Sequence, residues 1–213
     1  MTGRTMVEII PAILVKTRED FEQKVVSVAP YVTRVQIDIM DGKFVPNATL
    51  PVEEFPAIPK NLLVEYHLMV ENQLEYVKKI GKRGAIYELH IEALKNPQET
   101  SNDVKKMGGR VALAISPDTP VSAVEPYLSQ VEHILVMTVY PGFSGQSYLS
   151  LMEEKMRALK SMGAIVEVDG GLGIGTVKRA SAAGATLIGV ASGIFAKPDV
   201  KAAIEELRKD AEG

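Results

Sequence analysis

Residues 7–191 alternate between two rhythms. Short apolar runs read "VEIIPAIL", "RVQIDIM", "LLVEYHLMV", "IYELHIEA", "RVALAIS", "HILVMTV", "AIVEVDG" and "TLIGVA". Several of them switch between apolar and polar at every residue, the period of a strand with one buried face. Between most of them lie stretches with apolar residues at helical spacing, at 17–29, 73–84, 97–107, 148–162, 175–183 and 200–212. The first stops at Pro30, as a helix does before a proline. The stretch "KFVPNATLPVEEFPAIPK" after the second strand is proline-rich and allows at best a short helix.

Strand–helix alternation predicts parallel strands joined by right-handed crossovers. Eight such units within 213 residues suit a (β/α)8 TIM barrel, with residues 1–213 as one domain. A doubly wound open sheet is the alternative. The polar residues discriminate between the two. Gln36/Asp38, Glu65/His67, Glu88/His90 and Glu167/Asp169 share one parity of their strands. Strands covered on both faces of an open sheet read as continuous apolar runs. A closed barrel instead gathers polar side chains on inward positions toward its C-terminal mouth. The barrel is therefore the expectation.

Composition narrows the partners. The chain is 46% hydrophobic and 24% charged, with a net charge of −3, so no basic excess points to nucleic acid or a membrane surface. It holds no cysteine, which removes disulfides, thiolate metal sites and a cysteine nucleophile. "MTGRTMVEIIPAIL" is broken by Glu8 and Pro11, so no secretory signal is expected, and no apolar run reaches membrane-spanning length. A cytoplasmic protein is the expectation.

The candidate chemistry starts from the acid in "RVQIDIM". Asp38 lies near the end of the second strand, His67 near the end of the third and Asp169 at the end of the seventh. Taken singly they read as a loop acid, a satisfied core histidine and a turn residue. In a barrel they meet at one mouth, where two unpaired buried carboxylates are costly and need a cation, a shared proton or a task. Facing carboxylates suit proton removal from one side of a carbon and delivery to the other. With an imidazole they equally suit a divalent cation. "YPGFSGQ" (140–146), "DGGLG" (169–173) and "GVASGIF" (189–195) are small-residue loops between strand and helix. In this fold the loops after strands seven and eight frequently hold phosphate.

These residues resemble the ribulose-phosphate 3-epimerase family. The resemblance is carried by "DIMDGKFVPN" (38–47), "HLMV" (67–70), "LHIEA" (89–93), "VMTVYPGFSGQ" (136–146) and "VEVDGG" (166–171), with a looser likeness in "GATLIGVASGIF" (184–195). It runs from "IIPAIL" almost to the C-terminus. It implies a barrel that inverts C3 of a ketopentose phosphate, D-ribulose 5-phosphate to D-xylulose 5-phosphate. Asp38 and Asp169 would be the acid/base pair working through an enediolate. Asp38, His67, Asp169 and Gln36 would face a divalent cation (zinc, iron, manganese or magnesium). Met40, Met69 and Met137 would wall the reacting carbons. Gly142, Phe143, Ser144, Gly145, Gly170, Gly171, Ala191 and Ser192, with His67, would line the sugar phosphate. The resemblance also implies a homo-oligomer, either a dimer or a hexamer.

Some positions depart from the family's pattern. Gln36 stands where a histidine ligand is usual. Either it offers a harder, weaker amide oxygen, which favours manganese or magnesium over zinc or iron, or it hydrogen-bonds Asp38 and leaves the cation three protein ligands. Ala12 replaces a serine, Val15-Lys16-Thr17 replaces "S-A-D", and Ala191 replaces a glycine of the phosphate loop. They leave open a 3-epimerase of a ketohexose 6-phosphate, or a phosphosugar-binding barrel with weak or no turnover. Sister barrels that decarboxylate use Asp-x-Lys-x-x-Asp; here "DIMDGK" puts Met40 at the lysine, which disfavours that chemistry. His90 and Glu92 are expected to tie down the end of strand four, Asp41 to brace its loop, and His133 to lie on the surface.

Overall fold

A computed structural model describes residues 6–213, so residues 1–5 of the stretch read for a secretory signal lie outside the described residues. Eight parallel strands close on themselves in chain order. They are β1 (Glu8–Ile13), β2 (Arg34–Met40), β3 (Leu63–Met69), β4 (Ile86–His90), β5 (Arg110–Ile115), β6 (Ile134–Met137), β7 (Val166–Asp169) and β8 (Leu187–Val190). Closure is direct: β1 pairs with β2 and also with β8, where Ile9 lies opposite Ile188. The barrel expectation holds and the open sheet is excluded.

The alternation explains the layers. Val35, Ile37 and Ile39 of β2, with Val64, Tyr66 and Leu68 of β3, join one continuous apolar cluster. That cluster takes in Phe21 and Val25 of α1 (Arg18–Val28), Val77 of α2 (Gln73–Ile80) and Val104 of α3 (Pro97–Lys106). It continues through Met156 and Leu159 of α4 (Met152–Ser161), Val177 and Ala180 of α5 (Thr176–Ala183), and Ile204 and Leu207 of α7 (Val200–Glu212). The opposite parity points into the barrel, where Ala114, Leu135, Met137 and Val139 form a separate apolar group. Burying each large outward side chain contributes about 1.5–3 kcal/mol. The polar inward residues are therefore carried by a core that does not depend on them.

Local chemistry sets the helix limits. Thr17 caps α1, its Oγ1 accepting from the Asp20 amide at 3.2 Å. α2 ends at Ile80, short of the expected 84, because Gly81 adopts a left-handed conformation (φ 58°) and its amide closes on Val77 O. α4 begins at Met152 rather than near 148 because the Leu149 amide bonds to Thr138 O at 2.8 Å, keeping the chain on the end of β6. The β5–β6 connection holds two 3-10 turns, Val121–Ala123 and Glu125–Gln130. A short helix α6 (Ser192–Phe195) opens inside the loop read as "GVASGIF". Among the described residues no helix is long and apolar enough to cross a membrane.

Candidate active site

Register brings the expected residues together. Asp38 pairs with His67 and Met40 with Met69 across β2 and β3; Met137 pairs with Asp169, and Asp169 with Gly189, across β6, β7 and β8. All of these sit toward the C-terminal ends of their strands. One donor atom each from Asp38, His67 and Asp169 lies within 4.8 Å of the others. The pocket above is lined by Met40, Met69, Met137, Gly142, Phe143, Ser144, Gly145, Gly170, Gly171, Ala191 and Ser192 together with both aspartates. His67 is wholly buried beneath them. Leu14, Leu172 and Gly189 also line it and escaped the sequence reading. A lone glycine inside "TLIGVA" was a signal of close approach: a Cβ at 189 would lie 2.9 Å from Gln36 Oε1. Ala12 is buried and is not among the lining residues.

Gln36 occupies the centre of the acidic group. Its Nε2 donates to Asp38 Oδ1 at 2.8 Å and to Asp169 Oδ2 at 3.1 Å, and lies 3.4 Å from His67 Nδ1. One amide group thus faces all three donor atoms, while Gln36 Oε1 is buried without a hydrogen-bond partner. An unpaired buried acceptor costs about 1–3 kcal/mol. The two ends of a side-chain amide are nearly isosteric, and the opposite orientation turns Oε1 toward the same three atoms. The donor set therefore fits a divalent cation: two carboxylates, one imidazole nitrogen and one amide oxygen that lacks a partner as it stands.

The histidine's other side is organised too. His67 Nε2 lies 2.9 Å from His90 Nε2, and His90 Nδ1 lies 3.1 Å from Glu92 Oε2. Glu92 also accepts from the Ser116 amide at 2.7 Å and from Thr119 Oγ1. Burial alone would raise the Glu92 carboxyl, but the His90 bond and charge and these donors bring it down to about 2. Burial lowers His90. A neutral His90 donating from Nδ1 to Glu92 offers Nε2 as an acceptor, so His67 must donate from Nε2. That leaves His67 Nδ1, 3.0 Å from Asp38 Oδ1, facing the pocket. Gln73 clamps the His90 backbone through two 2.8 Å bonds. His90 and Glu92 do tie down strand four, and they also orient His67, which the sequence reading did not foresee.

Asp41 braces the mouth as expected. Its Oδ1 accepts from Lys43 and Phe44 amides at 2.8 and 2.9 Å, and its Oδ2 from the Glu71 amide at 2.9 Å, joining the loops after β2 and β3. Asn47 Nδ2 donates to Gly142 O at 2.8 Å, fastening the β2 loop to the "PGFSG" loop. His133 corrects the sequence reading. It is 2% exposed and enclosed by Glu65, Glu88 and Glu167 at the barrel's other end.

The charges at the mouth are displaced in one direction. Burial opposes charge on His67, but the bond to Asp38 and the nearby carboxylates outweigh it and push the imidazole up to about 9. Burial and the charge of Asp38 push the Asp169 carboxyl up to about 7. For His67 the raised value means a stabilising contribution fully present below 6.5 and lost as pH rises through about 9. The raised Asp169 value has the same sign, with stability falling as pH rises from 3.8 through about 7. With metal removed by a chelator, the thermal midpoint is expected to fall more steeply between pH 6.5 and 9 in the wild type than in His67→Asn. Equal slopes in a thermal-melt series would contradict this.

Comparison with known proteins comes to the same point. The model of the ribulose-phosphate 3 epimerase family matches residues 8–195. The ribulose-phosphate 3-epimerase of Methanocaldococcus jannaschii is 43% identical over 185 residues, which cover 82% of this chain and 78% of that one. The cytoplasmic isoform of ribulose-phosphate 3-epimerase from Oryza sativa subsp. japonica is 40% identical over 188 residues, 84% of this chain and 82% of that one. Among solved structures, the KGPDC of Streptococcus mutans superposes with a TM-score of 0.72 at 14% identity, covering 97% of this chain and 98% of that one. The 3-hexulose-6-phosphate synthase of Salmonella typhimurium gives 0.70 at 14% identity, covering 96% and 98%. At that identity the two structures share the fold alone.

Proposed function

The chain belongs to the ribulose-phosphate 3-epimerase family and is an isomerase, and from that premise we propose that it interconverts D-ribulose 5-phosphate and D-xylulose 5-phosphate through Asp38 and Asp169. The observation that carries the reading is the meeting of these two carboxylates with His67, donor atoms within 4.8 Å, at the base of one pocket. One carboxylate takes the proton from C3, and the electron pair moves toward C2 to give an enediolate. The other, in its acid form, gives a proton to C3 from the opposite face. In the reverse direction the two exchange roles. In the metal-free site burial and the charge of Asp38 raise the Asp169 carboxyl to about 7, and a bound cation would bring it down. Gln36, Asp38, His67 and Asp169 would hold a divalent cation, whose charge relieves the repulsion between the carboxylates and favours negative charge on the substrate oxygens.

The remaining residues position the sugar. Met40, Met69 and Met137 give C3 an apolar, water-poor surround, and they leave no side-chain amine for a lysine-dependent decarboxylation. Backbone amides of the loops at 142–145, 170–171 and 191–192 serve the phosphate. Gly171 is essential to their approach. It has φ +68°, and a Cβ there would lie 2.5 Å from the Tyr148 amide nitrogen. Gly171→Ala is expected to cost about 1–3 kcal/mol in chemical denaturation and to raise KM more than it lowers kcat. An unchanged KM would remove this loop from the phosphate site.

The test is a coupled assay on ribulose 5-phosphate, with a ketohexose 6-phosphate run in parallel, before and after chelation and after adding back manganese, magnesium, iron or zinc. Epimerisation of the pentose phosphate supports the reading; turnover of the hexose phosphate alone would replace the substrate. Chelator-insensitive turnover would discard the cation and keep the aspartates. We place the enzyme in the cytoplasm, as the rice relative's name places that protein, and as a homo-oligomer, which light scattering tests.

A further inference from the structure

Beneath the mouth, on the same inward parity, lies a second polar layer with no part in the proposed reaction. Glu65, Glu88 and Glu167 project from β3, β4 and β7, and His133 from the residue before β6; all are buried to 2% exposure or less. Their donor atoms lie within 4.8 Å of one another. His133 Nε2 is 2.9 Å from Glu88 Oε1, 2.8 Å from Glu167 Oε2 and 3.9 Å from Glu65 Oε1. One nitrogen carries at most one proton, and the aligned hydrogen bond goes to Glu88. Glu167 therefore has no hydrogen bond on either oxygen, and Glu65 Oε2 and Glu88 Oε2 are unpartnered as well. Arg34 supplies one positive charge, its Nη1 2.8 Å from Glu65 Oε1. Burial, then the charge of Glu167, pushes the Glu65 and Glu88 carboxyls well upward, showing how poorly the layer tolerates three anions.

We propose that Glu65, Glu88, His133 and Glu167 form a second metal site on the floor of the barrel, structural in role and filled by a divalent first-row ion such as manganese, iron or zinc. With the imidazole neutral, as a metal ligand must be, the three carboxylates outnumber the Arg34 guanidinium, which Glu8 also contacts at 3.3 Å, and a divalent ion would offset the excess negative charge. Donors that share an ion at about 2.1 Å stand about 3 to 4.2 Å apart, close to the 2.8, 2.9 and 3.9 Å that separate His133 Nε2 from its neighbours. Carboxylate oxygens with one imidazole nitrogen suit manganese, iron and zinc better than calcium. Such an ion would join β3, β4, β6 and β7 at the end of the barrel opposite the pocket. Because the layer is sealed, the ion would enter during folding and exchange slowly once inside.

Slow exchange separates this site from the mouth. Protein expressed with all three metals, dialysed against EDTA while folded and then assayed by elemental analysis, is expected to keep about one ion per chain and to lose it only in denaturant. The Asp38→Asn/Asp169→Asn variant, impaired at the mouth, should retain the same ion. Glu167→Gln should release it and lower the thermal midpoint by about 5–10 °C, the shift for a ligand present at a hundred times its Kd. If Glu167→Gln does not fold, an anomalous-scattering map of the dialysed wild type decides. A peak among these four side chains supports the site; a folded protein with no peak there, or with an ion at the mouth alone, overturns it.

Discussion

Asp169→Asn is expected to lower kcat about a thousandfold, and Asp38→Asn to do the same, with the fold intact in both. General acid–base catalysis by one positioned group is worth about 10²–10⁴. In the proposed mechanism each aspartate serves one face of the reacting carbon in every turnover, so neither loss could be bypassed. The amide keeps the volume and removes the acid–base group that would take and give the proton. The fold is expected to survive because the outward apolar cluster lies apart from the mouth. If the pair works as a unit, as proposed, the double variant loses little more than either single one. Steady-state kinetics on the three proteins checks this; losses that multiply would mean that the two side chains act independently.

Gln36→His is expected to tighten binding of zinc or iron at the mouth by about 10–100-fold, the scale on which altering one group around a metal acts. The natural glutamine places an amide nitrogen among Asp38, His67 and Asp169 and leaves its oxygen unpartnered. Binding a cation through that oxygen therefore requires giving up the two bonds to the carboxylates. An imidazole offers a better donor to these ions and has no such bonds to surrender. Chelator competition on the purified proteins reads the difference without recourse to activity. Equal or weaker affinity in Gln36→His would show that residue 36 does not reach the ion.

The barrel was legible because the strands carry their parity openly. "RVQIDIM" became β2 without a residue gained or lost. Asp38, His67 and Asp169 could be joined in advance since each lies at or near the C-terminal end of a strand of a closed, ordered barrel, where sequence distance becomes proximity at one mouth. What escaped depended on contacts between segments. Tyr148 to Leu151 has helical spacing, yet the Leu149 bond to β6 keeps it out of α4. The relay from His67 through His90 to Glu92 needs side-chain directions that a sequence does not print. His133 was the recoverable error. It shares the parity of Leu135 and Met137, which face inward, and three glutamates on other strands share that inward parity.

The most direct test of the two-faced mechanism is deuterium exchange at C3, followed by NMR in D₂O, with each epimer offered separately to each single variant. A protein that keeps one aspartate should still remove and return the proton on that aspartate's own face. Asp38→Asn and Asp169→Asn are therefore expected to label opposite epimers, each without inversion. If both variants label the same epimer, or if either labels both, the two carboxylates do not divide the faces of the carbon between them.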